Sequence, residues 1–388
     1  MSSINESSRR MRFIEKISLD WRILRIIKSI LLVYIDKDRK PLARIVREFL
    51  VTSVTTRCIA THYFTGFLYK SGIDNYLDYL SHREWQYLQD VLDDDELNDI
   101  LGDKVYFQAY YERSNISLPR QLAYNVREKL ILKDKDAWVP LELITPEKTL
   151  AAIEKLLAAS TKGSIFIKPI RGTGGHGARR IRSGDVGREM IAELQAYLVS
   201  GSFLFQDEVV QHREMARLNP SSLNTIRIDT FKTPGGTPEV LSAFLRTAMG
   251  DKSVDNITKG GLYVGINLED GTLKQHALRD LMLDAAAYTA HPKTGVQFQG
   301  FQIPFFEDVK RVAIEAADWI PKALVGWDIA VSETGPVVIE GNARYYHMQS
   351  SDIAYGGYRR NPVYKKVVDY VSRYPRAHAR GTYNLNGF

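Results

Sequence analysis

The order of apolar and polar positions divides the chain into a helical beginning and a β-rich remainder. "WRILRIIKSILLVYI" (21–35) is apolar nearly all round, with Arg22, Arg25 and Ser29 forming a narrow polar stripe, and it predicts a helix over 13–35. Its uninterrupted apolar lengths fall far short of the roughly 20 residues that cross a bilayer. The expectation is a helix buried against its own domain or, given the flanking Arg and Lys, one lying on a membrane surface. Helical spacing continues over 41–59 and 74–91 and through the acidic 92–100. The texture changes near Leu101. "SIFIKPI" (164–170) reads as a strand and "GREMIAELQAYLVSG" (187–201) as a helix. Strand patterns then dominate in 202–210, 223–233, 239–249 and 261–273, with turn signals at "PGG" (234–236) and "EDG" (269–271). A helix at 306–322, a hairpin at 324–342 around "SETG", and a helix with a polar tail over 360–388 complete the chain. The pattern predicts an α+β protein with mostly antiparallel sheets. Its parts are a helical region (1–100), a first α+β part (101–210) and a second (211–388).

Composition changes this picture little. The chain has 388 residues, 44% hydrophobic and 25% charged, an ordinary balance for a soluble protein of two or three domains. The single Cys58 excludes an intrachain disulfide and a multi-cysteine zinc site, and reads as a small buried hydrophobe. With no signal-peptide pattern at the start, a cytoplasmic location is expected. Charge is more telling. Residues 1–50 hold twelve Lys/Arg and six Asp/Glu, so they carry the whole net charge of +6. The body is neutral and lacks a basic stripe with aromatic support, which argues against a nucleic-acid partner. The basic N-terminus suits an anionic membrane surface or a protein partner.

Three constellations bear chemistry. "FIKPIRGTGGHGARRI" (166–181) contains Gly172, Gly174 and Gly177 in a G-x-G-x-x-G spacing. In a dinucleotide site such a loop runs from strand into helix. Here "ARRIRSGD" alternates and ends in a turn, so it reads as a returning strand, and the loop as a flap whose backbone N–H groups face phosphates. A purely structural glycine turn is the alternative. In the final hairpin, Asp328 lies opposite Glu340, within one residue of register. Strict alternation sets Val338, Glu340 and Asn342 on one face. Two carboxylates and an amide oxygen are hard ligands suited to Mg²⁺. Finally, Arg227 and Arg246 interrupt apolar strands. Charges there need partners, either one shared anion or internal acids such as Asp229 or Glu239.

In order along the chain, these stretches resemble the ATP-grasp superfamily from about Leu101 to the 350s, and its sugar-transfer-associated subgroup in particular. The resemblance is carried by "GDKVYFQAYYERSNISLP" (102–119), "IFIKPIRGTGGHGA", "QDEVVQHREMARLNPSSLNTIRI" (206–228), "VDNITKGGLYVGI" (254–266), "HPKTGVQFQGFQIPFF" (291–306) and "GWDIAVSETGPVVIEGN". It implies an ATP-grasp fold of two α+β lobes, with the flap and hinge strand in 101–210 and the metal hairpin in 211–388. It implies that Lys104 and Lys168 meet ATP phosphates, as would Gly172, Thr173, Gly174, Gly175 and His176. Asp207, or its neighbour Glu208, would mark the adenine-binding hinge, and Glu214 the ribose. Asp328, Glu340 and Asn342 would hold Mg²⁺. One position departs from the family pattern: Gly326 stands where many ligases carry an Arg, so Arg227 or Arg246 would supply that charge. The implied reaction joins a carboxylate to an amine through an acyl-phosphate. A small-molecule kinase and an ATP-binding scaffold in glycan assembly are the alternatives.

Overall fold

The computed structural model describes residues 28–135, 137–172, 174–250, 257, 260–343 and 348–373. The predicted helix at 13–35 lies outside the described residues up to Ile27, and residues 28–35 are helical; the tail after Arg373 also lies outside. Helices α1 (Leu42–Thr55), α2 (Thr61–Thr65), α3 (His82–Val91), α4 (Asp95–Gly102) and α5 (Lys104–Tyr111) precede the first strand. Their starts follow local chemistry. Ser81 and Glu84 form a reciprocal capping box on α3, and the Asp103 carboxylate accepts from the Val105 and Tyr106 N–H groups to cap α5.

Two six-stranded sheets follow, and every strand pairing among the described residues is antiparallel. The first contains β1 (Gln121–Val126), β2 (Lys129–Asp134), β3 (Ala137–Glu142), β4 (Ser164–Pro169), β5 (Arg179–Arg182) and β6 (Ser202–Asp207), in the order β3-β2-β1-β6-β4-β5. Helices α6 (Pro146–Ala159) and α7 (Arg188–Val199) cover it, burying Ile153, Leu156, Leu194 and Leu198 against Ile165, Ile167 and Phe205. After the short α8 (Arg213–Leu218), the second sheet is built from β7 (Thr225–Phe231), β8 (Glu239–Thr247), β9 (Leu262–Ile266), β10 (Leu273–Leu278), β11 (Leu324–Ser332) and β12 (Gly335–Asn342), in the order β10-β9-β8-β7-β11-β12. The run read as one strand over 261–273 is the β9 strand, its turn and the start of β10.

Alternation gives the second sheet two unlike faces. Ile226, Ile228, Ala243, Leu245, Trp327, Ile329 and Val331 pack on α9 (Phe306–Trp319), which contributes Val309, Val312, Ala313 and Ala316. The opposite face carries Phe231, Asp229, Arg227 and Thr225 on β7 and Leu324, Gly326, Asp328 and Ala330 on β11. Its apolar end, with Phe231 and Leu324, joins Trp85 of α3, Tyr358, and Tyr364 and Val367 of α11 (Pro362–Arg373), beside Met348 of α10 (Met348–Tyr355). Its polar end is left for the site. The early helices share these cores: Leu101, Phe107 and Tyr111 enter the α9 cluster, and the Trp85 ring stands 5.3 Å from that of Tyr358. The change of texture near Leu101 is thus a change of secondary structure within a shared core.

Candidate active site

The polar end of the second sheet faces β4–β6 of the first across a cavity of ≈ 500 Å³. The β4–β5 loop forms one wall. Its flanking strands pair antiparallel, Ile165 with Ile181 and Ile167 with Arg179, so the loop joins neighbouring strands and does not open a helix. Gly172, Gly174, Gly175 and His176 line the cavity; Thr173 lies outside the described residues. Gly177 is required by space as well as by backbone. Its φ is +73°, and a Cβ there would lie 2.4 Å from the Tyr197 hydroxyl and 3.0 Å from Pro169. The loop is tethered on both limbs. Tyr197 Oη donates to the Gly177 carbonyl at 2.6 Å, and Lys104 Nζ donates to the Gly172 carbonyl at 3.0 Å.

The opposite wall is the β11–β12 hairpin. Asp328 and Glu340 are cross-strand partners. The next pair is Ile329 with Val338, so Ile339 is an extra residue, a β-bulge. This corrects strict alternation: Val338 turns into the apolar core with Ile329, while Glu340 and Asp328 share the cavity face. Without the bulge, Val338 and Glu340 would face the same way.

Asp328 is fully enclosed. It accepts from Arg227 Nε at 2.6 Å and Nη2 at 3.2 Å, and Arg246 Nη2 lies 2.9 Å from Oδ2. The Asn342 amide nitrogen donates to the same oxygen at 3.3 Å and to the Gly326 carbonyl at 3.2 Å. Both strand-centre arginines therefore converge on Asp328. The two internal acids considered for them are engaged elsewhere: Glu239 pairs with Lys366, and Asp229 accepts from Ser242 and Tyr358. Arg246 lines the cavity, and Arg227 sits behind Asp328.

Burial works to raise the Asp328 carboxyl, but Arg227 and Arg246 hold it well below the usual carboxylate range. Burial and the neighbouring Asp328 charge push Glu340 the other way. The two carboxyls thus lie close enough for each to shift the other, Asp328 downward and Glu340 upward. A divalent cation relieves the same repulsion, and the donor set of two acids and an amide fits Mg²⁺. Among the described residues no group of three or more His, Cys, Asp or Glu could hold a metal, and Asn342 stands beside the pair with its amide nitrogen on Asp328. Across the cavity, burial brings the Lys168 ammonium down to about 8, with Glu340 pulling it up and Lys104 pushing it down.

The model of a family described as sugar-transfer associated ATP-grasp matches residues 83–361. This chain belongs to the sugar-transfer-associated ATP-grasp family. The match runs from α3 through both sheets to the Tyr358–Arg360 turn, and the two sheets with the cavity between them are its ATP-grasp fold. No curated protein matches the chain. Similar solved structures include the ATP-grasp ligase PsnB with a phosphomimetic variant of its minimal precursor, Mg and ADP (14% identity, 71% of this chain and 60% of that one, TM-score 0.39). Another is D-alanyl-alanine synthetase A from Vibrio cholerae O1 biovar eltor (13% identity, 72% and 66%, TM-score 0.42). A third is an L-amino acid ligase from Bacillus licheniformis (13%, 66% and 43%, TM-score 0.36). The alignments span less than two thirds of each of these longer chains.

In this ATP-grasp chain the residues expected at the hinge are placed unevenly. Asp207 ends β6 on the cavity wall, but its carboxylate accepts from Arg120 Nε at 2.8 Å and from the Thr161 N–H at 3.1 Å. Glu208 accepts from Arg180 at 3.0 Å and from Ser164 at 2.7 Å. Glu214 lies outside the cavity, paired with Arg217 at 2.6 Å in a separate surface groove. The structure thus brings Lys104, Lys168, the flap, Asp207, Glu208, Arg246, Asp328 and Glu340 to one cavity; Arg227 and Asn342 reach it only through their contacts with Asp328, and Glu214 lies outside it. Residues that sequence reasoning missed also line it: Phe166, Arg180, Gln206, Val209 and Ser222. The alternation in "RRIR" signals Arg180, since Ile181 faces the core. Nothing in the sequence marks Ser222, whose buried hydroxyl has no hydrogen-bond partner among the described residues.

Proposed function

We propose that this protein is an ATP- and Mg²⁺-dependent ligase that joins a carboxylate to an amine through an acyl-phosphate. One observation carries the reading: an acid pair, buried Asp328 and half-buried Glu340, faces two lysines, Lys168 and Lys104, across a cavity walled by a glycine flap. Acids on one wall call for a divalent cation, and lysines and backbone N–H groups on the other call for phosphate. Family membership supports ATP as the nucleotide.

Bound Mg²⁺ would supply Lewis-acid charge to the phosphate oxygens. The chain's own residues do the rest. Lys168, Lys104 and the flap position the triphosphate and spread its charge. Phe166 and Val209 give the base an apolar wall beside the hinge. Arg246, fixed by Thr225 Oγ1 at 2.7 Å, presents positive charge in place of the arginine missing at Gly326. The acceptor carboxylate oxygen attacks the γ-phosphorus and ADP leaves. The amine nitrogen then attacks the acyl carbon, and phosphate leaves as the nitrogen loses its proton. Positioning and charge stabilisation suffice, so no side-chain nucleophile is needed.

The test is product analysis over panels of acids with hydroxylamine as the amine. A ligase yields ADP, phosphate and an acyl hydroxamate. Phosphorylated acceptor without hydroxamate would assign a kinase and overturn the reading. Glu340→Gln is expected to lower turnover by at least about a hundredfold, the scale of removing one charge-stabilising group, with circular dichroism unchanged.

A further inference from the structure

The helices at the start of the described chain carry apolar side chains on their outer faces as well as their inner ones. On α1 the inward face carries Ile45 together with Glu48 and Thr52. Glu48 is buried in an ion pair with Lys40 at 2.5 Å and accepts from the Tyr63 hydroxyl at 2.7 Å. The outward face carries Leu42, Val46, Leu50 and Val54, spaced by four and 44–78% exposed. A surface helix in water has the opposite arrangement, polar residues outward. The preceding helical turns add exposed Ile30, Leu31, Tyr34 and Ile35, and the loop after α1 adds Ile59. Of the twenty exposed large hydrophobic side chains among the described residues, ten fall between Ile30 and Ile59. Such a concentration marks an interaction surface.

Charge selects the partner. Two of the three acids of this region are buried against cations, Glu48 with Lys40 and Arg44 and Asp36 with Lys70, and the third, Asp38, is exposed but lies 3.7 Å from Lys70. Lys28, Lys37, Arg47 and Arg57 are exposed around the apolar stripe, the first three in the 1–50 stretch that carries the whole net charge. Among the described residues no helix is long and apolar enough to cross a membrane. An apolar stripe with a basic rim suits the boundary of an anionic lipid surface, where aliphatic side chains enter the acyl region and Lys/Arg meet headgroups.

We infer that the outer face of α1 and the adjoining 28–35 turns docks this protein on anionic membranes. The inference is independent of the ligase reading. The test is sedimentation of the full chain with vesicles of phosphatidylcholine alone and of phosphatidylcholine and phosphatidylserine in equal parts. The expected result is binding to the phosphatidylserine vesicles, weakened by salt as surface electrostatics require. Val46→Glu/Leu50→Glu should lower the bound fraction about tenfold or more, and Arg47→Glu/Arg57→Glu several-fold. These side chains point outward, so the melting temperature should hold; if one pair fails to fold, the other still decides. Absence of binding, or binding unchanged by both pairs, overturns the proposal. A dimer in light scattering that Val46→Glu/Leu50→Glu dissociates assigns the face to a second copy. Crosslinks from this face to residues 1–27 in a monomer that ignores vesicles assign it to the chain itself. Either outcome also overturns the proposal.

Discussion

Asp328 and Lys168 set the character of the site at the scale of single residues. Asp328 is held by two guanidiniums, so its charge is secured before any ligand arrives. Lys168 is the contrary case, a buried cation whose own neighbours do not fully compensate its burial. In the unfolded chain a lysine keeps its proton to about pH 10.4; in the fold Lys168 releases it near 8. Between those values the unfolded chain binds more protons, so this residue's contribution makes stability rise with pH across that window. At neutral pH the buried charge is a cost, and Lys168→Met should raise stability by up to about 3 kcal/mol while abolishing ATP binding. Denaturant titration with nucleotide binding measures both. Affinity of the wild-type chain for ATP should fall as pH rises through 8, and calorimetric titrations at pH 7 and 9 check it.

The flap and the hairpin show what a sequence yields at the scale of elements. "ARRIR" alternates, so the returning strand and hence the flap were readable, and the SETG turn fixed Asp328 opposite Glu340. The bulge at Ile339 was not readable, because alternation counts residues and a bulge adds one without a compositional mark. Arg227 and Arg246 were visible as charges in apolar strands, but their common partner lies about a hundred residues away on β11, a contact that only the sheet order creates. Glu214 fails for the opposite reason: it lies a few residues past Asp207 in the sequence, but α8 turns it outward to Arg217. For the flap itself, Gly177→Ala sets a Cβ against the Tyr197 hydroxyl at positive φ. It should weaken ATP binding about tenfold, equivalent to about 1.4 kcal/mol, and expose the loop to proteolysis. Tyr197→Phe combined with it should restore part of the loss by removing the clashing oxygen.

At the scale of the molecule, the cavity lies where two separately cored sheets meet, α6 and α7 behind one and α9 behind the other. A ligand filling that seam binds the folded chain and not the unfolded one. Mg²⁺-ATP at a hundred times its Kd should stabilise the fold by about 2.7 kcal/mol, seen as a rise in Tm that depends on nucleotide concentration. The fold class was legible from strand patterns and turns. The sharing of cores between the early helices and the second sheet was not, since Trp85 and Tyr358 lie far apart in sequence and carry no mutual signal.

In the proposed function the Asp328–Glu340 pair and the lysines opposite it hold the triphosphate together with Mg²⁺. Isothermal titration of ATP into the wild-type chain and into Glu340→Gln, each with Mg²⁺ and with EDTA, tests it most directly. The wild-type chain should bind ATP at least about tenfold more tightly with Mg²⁺, a difference of about 1.4 kcal/mol, and Glu340→Gln should lose that difference. Equal affinity in both proteins under both conditions would contradict the claim.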